Sequence, residues 1–238
     1  MKKFAYLLLS ILVFEATIVQ ASEMGSNGSE VLFQCQLARL QHYSIIEESY
    51  GNDPAVLVTR RQALNTVLQL YYAGGISFPP ATLFDTWEDV EDNTADAALI
   101  NQTSLIGIFQ GKVTENGRKY AALDEYVTLE ETLLFLIRLL ESDDAEVYIA
   151  QIAKEENLQG NVVFSFAEKL GLINVFNLIS RPIANFEPQQ IDKPITFREF
   201  IELIHRSLYI PTCYGYRLEE PTYLINILQQ EYPECPVN

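Results

Sequence analysis

Val58-Thr59-Arg60-Arg61-Gln62-Ala63-Leu64, Val127-Thr128-Leu129-Glu130-Glu131-Thr132-Leu133 and Ile195-Thr196-Phe197-Arg198-Glu199-Phe200-Ile201 are three versions of one phrase. Each runs apolar-Thr-x-x-Gln/Glu, and the threonines recur at near-equal intervals. A threonine hydroxyl can accept the amide three residues on while the Gln or Glu side chain reaches back to the threonine amide, so each phrase predicts a capping box and a helix start. Downstream, the columns Leu64/Leu133/Ile201, Val67/Leu136/Ile204, Leu68/Ile137/His205 and Tyr71/Leu140/Leu208 fall at helical spacing and form one apolar stripe. Three equivalent amphipathic helices are expected.

A second element precedes each capped helix. In the middle unit Asp92 or Asn93 is expected to cap a helix through Ala97, Ile100 and Leu105 that stops at Gly107, which lacks the Cβ that disfavours a left-handed turn. The third unit matches, with Val162, Val163, Phe166 and Leu170 as the stripe, Gly171 as the stop and Leu172-Ile173 after it. The first has Leu37, Leu40 and Tyr43 leading into Ser44-Ile45-Ile46, and serine in place of glycine predicts a less sharply fixed end. The fold expected is mostly α: three pseudo-symmetric helix-loop-helix repeats at about 31–75, 84–141 and 144–211, forming one helical domain with short loops between paired helices.

With 238 residues, 48% of them hydrophobic, the chain can bury a sizeable core and is too apolar to be disordered. A formal charge of -16 repels phosphate backbones and argues against nucleic acid as a partner. At the N-terminus Lys2-Lys3, the apolar run Phe4–Phe14 and the small residue Ala21 read as a secretory signal over 1–21, too short a run for a membrane span. Residues 22–30 read as a flexible Gly/Ser leader and 212–238 as a C-terminal helical extension, its helix starting at Pro221. A secreted, extracellular protein with no membrane association after cleavage is expected. Export favours thiol oxidation, so Cys213 and Cys235 are read as a disulfide with Cys35 left over; the alternative is that all three are buried small apolar residues.

The middle repeat carries a resemblance. Trp87-Glu88-Asp89-Val90-Glu91-Asp92, then Gly107-Ile108-Phe109-Gln110-Gly111, then Val127-Thr128-Leu129-Glu130-Glu131 resembles an S-layer homology (SLH) repeat: Asp-Val, a helix, Gly-Ile-x-x-Gly, a loop, and a Thr-Arg-Ala-Glu-like helix start. The resemblance covers Val31 to Pro211 as three repeats, the first without its Asp-Val. It implies a pseudo-threefold helical domain with inter-repeat grooves that bind secondary cell-wall polymers, often pyruvylated. Carried onto the matching positions, it implies ligand-binding roles for Thr59, Arg60, Asp89, Gly107 and Gly111, and Arg61, next to Arg60, is read as a further candidate. The motif arginine stands only in Thr59-Arg60; Leu129 and Phe197 occupy the equivalent places.

An arginine in the first turn of a helix adds a guanidinium to the free amides and the positive end of the dipole, which suits an anionic polymer. Arg60 is read in that role, with Arg61 assisting or solvating the surface; the competing reading pairs Arg60 with a nearby carboxylate. On the ligand reading Arg60→Ala costs binding and leaves the melting temperature nearly unchanged. Asp85, Asp89, Asp92 and Asp96 lack the spacing of a calcium loop and read as a solvated acidic cap, while His205 reads as a core residue. No metal, no cofactor and no catalytic residue is assigned, since no Gly-x-Ser-x-Gly, His-Glu-x-x-His or phosphate loop is present. The function expected is a secreted, non-catalytic SLH-like module bound noncovalently to bacterial secondary cell-wall polymer or peptidoglycan-linked polysaccharide. The alternative is a degenerate SLH-fold module whose partner is another surface protein, and the third choice is a wall-active hydrolase.

Overall fold

The computed structural model describes residues 29–72, 77–141, 161–173, 186–212 and 222–223. The expected signal segment, most of the leader, and Cys213 and Cys235 lie outside them. Among the described residues six α-helices follow in order: α1 (29–42), α2 (Arg60–Tyr71), α3 (Ala95–Leu105), α4 (Leu129–Glu141), α5 (Val162–Leu170) and α6 (Phe197–Ser207). Two small antiparallel ladders accompany them, β1 (Lys112–Val113) with β2 (Lys119–Tyr120) and β3 (Pro211–Thr212) with β4 (Thr222–Tyr223). The fold is mostly helical.

All three capping boxes form. The Thr59 hydroxyl accepts the Gln62 amide and Gln62 Oε1 accepts the Thr59 amide; the same exchange joins Thr128 to Glu131 and Thr196 to Glu199. The residue before each threonine then takes part in a closed ring of main-chain hydrogen bonds. Val58 N–H donates to Ile195 C=O at 3.1 Å, Ile195 N–H to Val127 C=O at 3.0 Å, and Val127 N–H to Val58 C=O at 2.9 Å. The first two amides of each capped helix have no partner within their own helix. The pattern again repeats: Arg60 and Arg61 donate to Glu125 and Leu123, Leu129 and Glu130 to Lys193 and Ile191, Phe197 and Arg198 to Val56 and Pro54.

Packing follows the same order along the chain. Helix α3 packs on α2 and α5 on α4, while α1 meets α6 through Phe33 edge-on to Phe197 at 6.2 Å and Gln36 bonded to Glu202. Each first helix therefore lies against the second helix of another unit. Leu64, Leu133 and Ile201 are wholly buried, so the apolar stripe read from the sequence is the core face.

Five expectations are corrected. The cap of α3 is Thr94, whose side chain accepts the Ala97 amide, because the carboxylate of Asp92 accepts the Leu83 amide and Asn93 Oδ1 accepts the Thr82 hydroxyl. Ser44 ends α1 with the same geometry by which glycine ends the others: it adopts φ 56°, and Ile45 donates back to Leu40 as Ile108 does to Thr103 and Leu172 to Ala167. The connections between paired helices are not short, since each must carry a strand-like segment to the next unit; the link from Leu105 to Leu129 even holds the β1–β2 ladder. At the ends, residues 29 and 30 belong to α1 rather than the leader, and Thr222 and Tyr223, expected in the first turn of the C-terminal helix, pair as strand with Thr212 and Pro211; the rest of that extension lies outside the described residues.

Candidate functional site

The position after each capping threonine faces inward in all three units. Leu129 and Phe197 are each 4% exposed there, and Arg60 only 2%. A guanidinium in such a slot must have its donors satisfied. Arg60 Nη1 donates to the carbonyls of Ala121 at 3.2 Å and Ala122 at 2.7 Å, and Nη2 donates to Glu131 Oε1 at 2.6 Å. Glu131 is the capping-box residue of α4, so Arg60 ties the start of α2 to the start of α4. The pairing with a carboxylate prevails, and the expectation of a solvent-facing guanidinium is corrected: the neighbouring unit's loop closes over it.

Asp89 works on the same loop. Its two oxygens accept the amides of Ala121 at 2.8 Å and Ala122 at 2.6 Å, which holds Ala122 at φ 50°. Thr59 is spent on its capping box and on a bridge to Tyr126. Gly107 and Gly111 sit apart from this cluster. Gly107, at φ 76°, is the stop of α3 with open space around it. At Gly111 an added Cβ would fall 2.3 Å from Trp87 Cζ3, so this glycine is the bed on which the indole lies. Trp87 in turn stacks on Phe109 at 5.6 Å.

Arg61 is the one expected ligand arginine that reaches solvent, its side chain being 41% exposed. Its Nε and Nη2 grip Asp96 in a bidentate pair at 2.9 and 2.8 Å, and Nη1 meets Asp124. Bonding to Asp96 first, then to Asp124, raises its pKa further above the usual arginine value. Arg61 borders a half-open cavity of about 420 Å³ between α2 and α3, lined also by Glu47, Tyr50, Asn65, Phe78 and Asp96. Burial pushes the Tyr50 hydroxyl up to about 12, so it stays protonated.

The position of Arg61 repeats as well. Two residues after each capping threonine, a side chain bonds the start of another unit's first helix: Arg61 to Asp96, Glu130 to Asn161 Nδ2, Arg198 to Ser29 and Glu30. Arg138 and Arg206 stand at one common offset further on, and each donates at 3.1 Å to the carbonyl after its helix stop, Ile108 or Leu172. Sequence reading passed over these ties, although the shared offset from the threonines was the signal.

The four aspartates do not converge. Asp85 pairs with Lys119, Asp89 and Asp92 accept backbone amides, and Asp96 takes Arg61, so each carboxylate is turned to separate work. Among the described residues no group of His, Cys, Asp and Glu could hold a metal ion, and no helix is long and apolar enough to cross a membrane. His205 is 4% exposed, within reach of Arg39 at 3.4 Å and beside Tyr209. Cys35 is disulfide-bonded. The chain has three cysteines, so a Cys213–Cys235 bridge would leave Cys35 without a partner in the chain, and that expected pairing is corrected. No family model matches this chain, and no curated protein matches its sequence.

Proposed function

We propose that this chain is an extracellular, non-catalytic three-repeat module of the SLH type, which associates noncovalently with an acidic polysaccharide of the bacterial cell wall. The observation that carries the reading is the closed ring through Val58, Val127 and Ile195, with the same helix-start bonds repeated at all three junctions. Such recurrence supports three equivalent building blocks around a common axis, the arrangement the SLH resemblance implies. The groove between α2 and α3 supports the binding role: it is concave, bordered by the exposed face of Arg61, and lined by Tyr50, Asn65 and Phe78. A polymer carboxylate would replace exposed Asp124 on Arg61 Nη1 while Asp96 keeps the guanidinium oriented.

The second reading, a degenerate module that binds another surface protein, is favoured by the burial of Arg60 and the double pairing of Arg61. Sedimentation of the mature protein with isolated wall sacculi separates them. Retention that disappears once the secondary polymer is extracted, and weakens in Arg61→Ala, supports polymer binding. Equal or absent retention in both preparations sinks it and leaves the protein-partner reading.

A further inference from the structure

Between the 82–87 loop and the last turn of α3 lies a second half-open cavity of about 370 Å³, apart from the Arg61 groove. Two of its three aromatic members, Trp87 and Phe109, form the buried floor, stacked with their planes 15° apart, and Phe109 is braced edge-on by Phe135. Phe84 and Leu105 also line it, and they are 76% and 69% exposed.

Two features separate this exposure from ordinary surface scatter. The position of Leu105, two residues before the helix stop, is filled by His42 in α1 and Lys169 in α5, both exposed. The fold therefore asks for no apolar side chain there, yet the middle unit supplies one. Phe84 is presented by a pinned loop. Asn101, 4% exposed, accepts the Phe84 amide at 3.0 Å and donates to the Thr82 carbonyl at 2.8 Å, and the Leu83 amide is held by Asp92 at 2.7 Å. A ligand landing on Phe84 meets a loop that is already ordered, so little further entropy is lost.

The polar part of the lining selects the ligand class. Asp85 and Lys119 are paired with each other, so the cavity offers no net charge to an anion or a cation. Ser104 and Gln110 add a hydroxyl and an amide. A peptide adding a strand beside the cavity finds the outer edge of β2 taken where Glu88 donates to the Lys119 carbonyl at 3.0 Å. The exposed Phe84 ring and Leu105 beside neutral hydrogen-bonding groups match a sugar ring, whose C–H face is apolar and whose hydroxyls project from its rim.

We propose that this cavity is a subsite for a neutral pyranose ring, with Phe84 and Leu105 flanking the sugar and Trp87 behind it. The site is separate from the Arg61 groove and does not depend on that groove binding an acidic polymer. Trp87 is the chain's one tryptophan, so its fluorescence reports this cavity alone.

The full chain is titrated with neutral oligosaccharides of glucose, galactose, mannose and N-acetylglucosamine. At least one is expected to give a saturable change in Trp87 emission. Phe84→Ala and Leu105→Lys, at exposed positions, are expected to keep the circular dichroism and melting curve while weakening the midpoint about tenfold. Arg61→Ala is expected to leave the midpoint unchanged. No saturable response to any neutral sugar, an unaltered midpoint in Phe84→Ala, or loss of the response in Arg61→Ala would each overturn the proposal.

Discussion

Asp89 and Arg60 grip the peptide group between Ala121 and Ala122 from its two ends: the carboxylate accepts the Ala122 N–H at 2.6 Å and the guanidinium donates to the Ala121 carbonyl at 3.2 Å. Because Asp89 precedes α3 and Arg60 begins α2, this one peptide group links both to the loop that leads into α4.

Arg60→Ala is therefore a folding lesion. It strips the carbonyls of Ala121 and Ala122 and the carboxylate of Glu131 of buried donors. A loss of about 3 kcal/mol is expected, with a clearly lowered melting temperature in denaturant and thermal unfolding. A melting curve unchanged from wild type would return Arg60 to the surface role read from the sequence.

Asp89→Ala removes two acceptors from a loop that carries a positive φ at Ala122. The expected cost is about 1–2 kcal/mol, with faster hydrogen exchange confined at first to the 121–122 amides. Uniform acceleration across α4 and α6 would instead mean that the loop opens only with global unfolding.

Two glycines offer a matched comparison. Gly111→Ala places a methyl on the Trp87 ring at a left-handed φ of 74°, whereas Gly107→Ala meets only the φ penalty. The second should cost about 1 kcal/mol and the first about two or three times that, with a shift in Trp87 emission. Equal losses would show that the indole moves aside at no cost.

Acid should weaken this protein through His205. Burial first, then the charges of Arg39 and Arg206, lower its pKa to about 3 in the folded chain. An unfolded histidine binds its proton near pH 6.5, so below that value the unfolded state holds one proton more and stability falls as pH falls. The loss runs from about pH 6.5 down to about pH 3, at roughly 1.4 kcal/mol per pH unit. Denaturant titrations across that range should show the slope in the wild type and a flatter profile in His205→Gln. The slope persisting in His205→Gln would assign it to other groups.

Reduction should act at Cys35, which tethers α1 by its disulfide. Cys35→Ser, or thiol reductant on the wild type, is expected to lower stability by about 2–4 kcal/mol, and the two effects should not add. Additive losses would reveal a second reducible bond.

Wherever a few neighbouring residues decide the outcome, the chain was readable as text. Thr59, Thr128 and Thr196 with the Gln or Glu three residues on contain all the atoms of a capping box, and the stripe of Leu64, Leu133 and Ile201 follows from helical period alone. Gly107 and Gly171 likewise declared their helix ends, since a left-handed residue is a local requirement. Thr94 escaped because Asp92 and Asn93 are better caps in isolation, and only the 82–83 loop, folded back from earlier in the chain, draws them away. Arg60 is the largest case of the same kind. Its type and its place in a first turn suit an exposed anion-binding role, and what buries it is the carbonyl wall of residues 121–122, together with Glu131, some sixty to seventy positions later. The columns themselves held a warning, since Leu129 and Phe197 mark that slot as interior. Capping, period and helix stops were thus settled by short-range chemistry within each segment. Which polar groups are spent on structure was decided by how distant segments close on one another, because the partners that satisfy a guanidinium or a carboxylate come from segments no local pattern brings together.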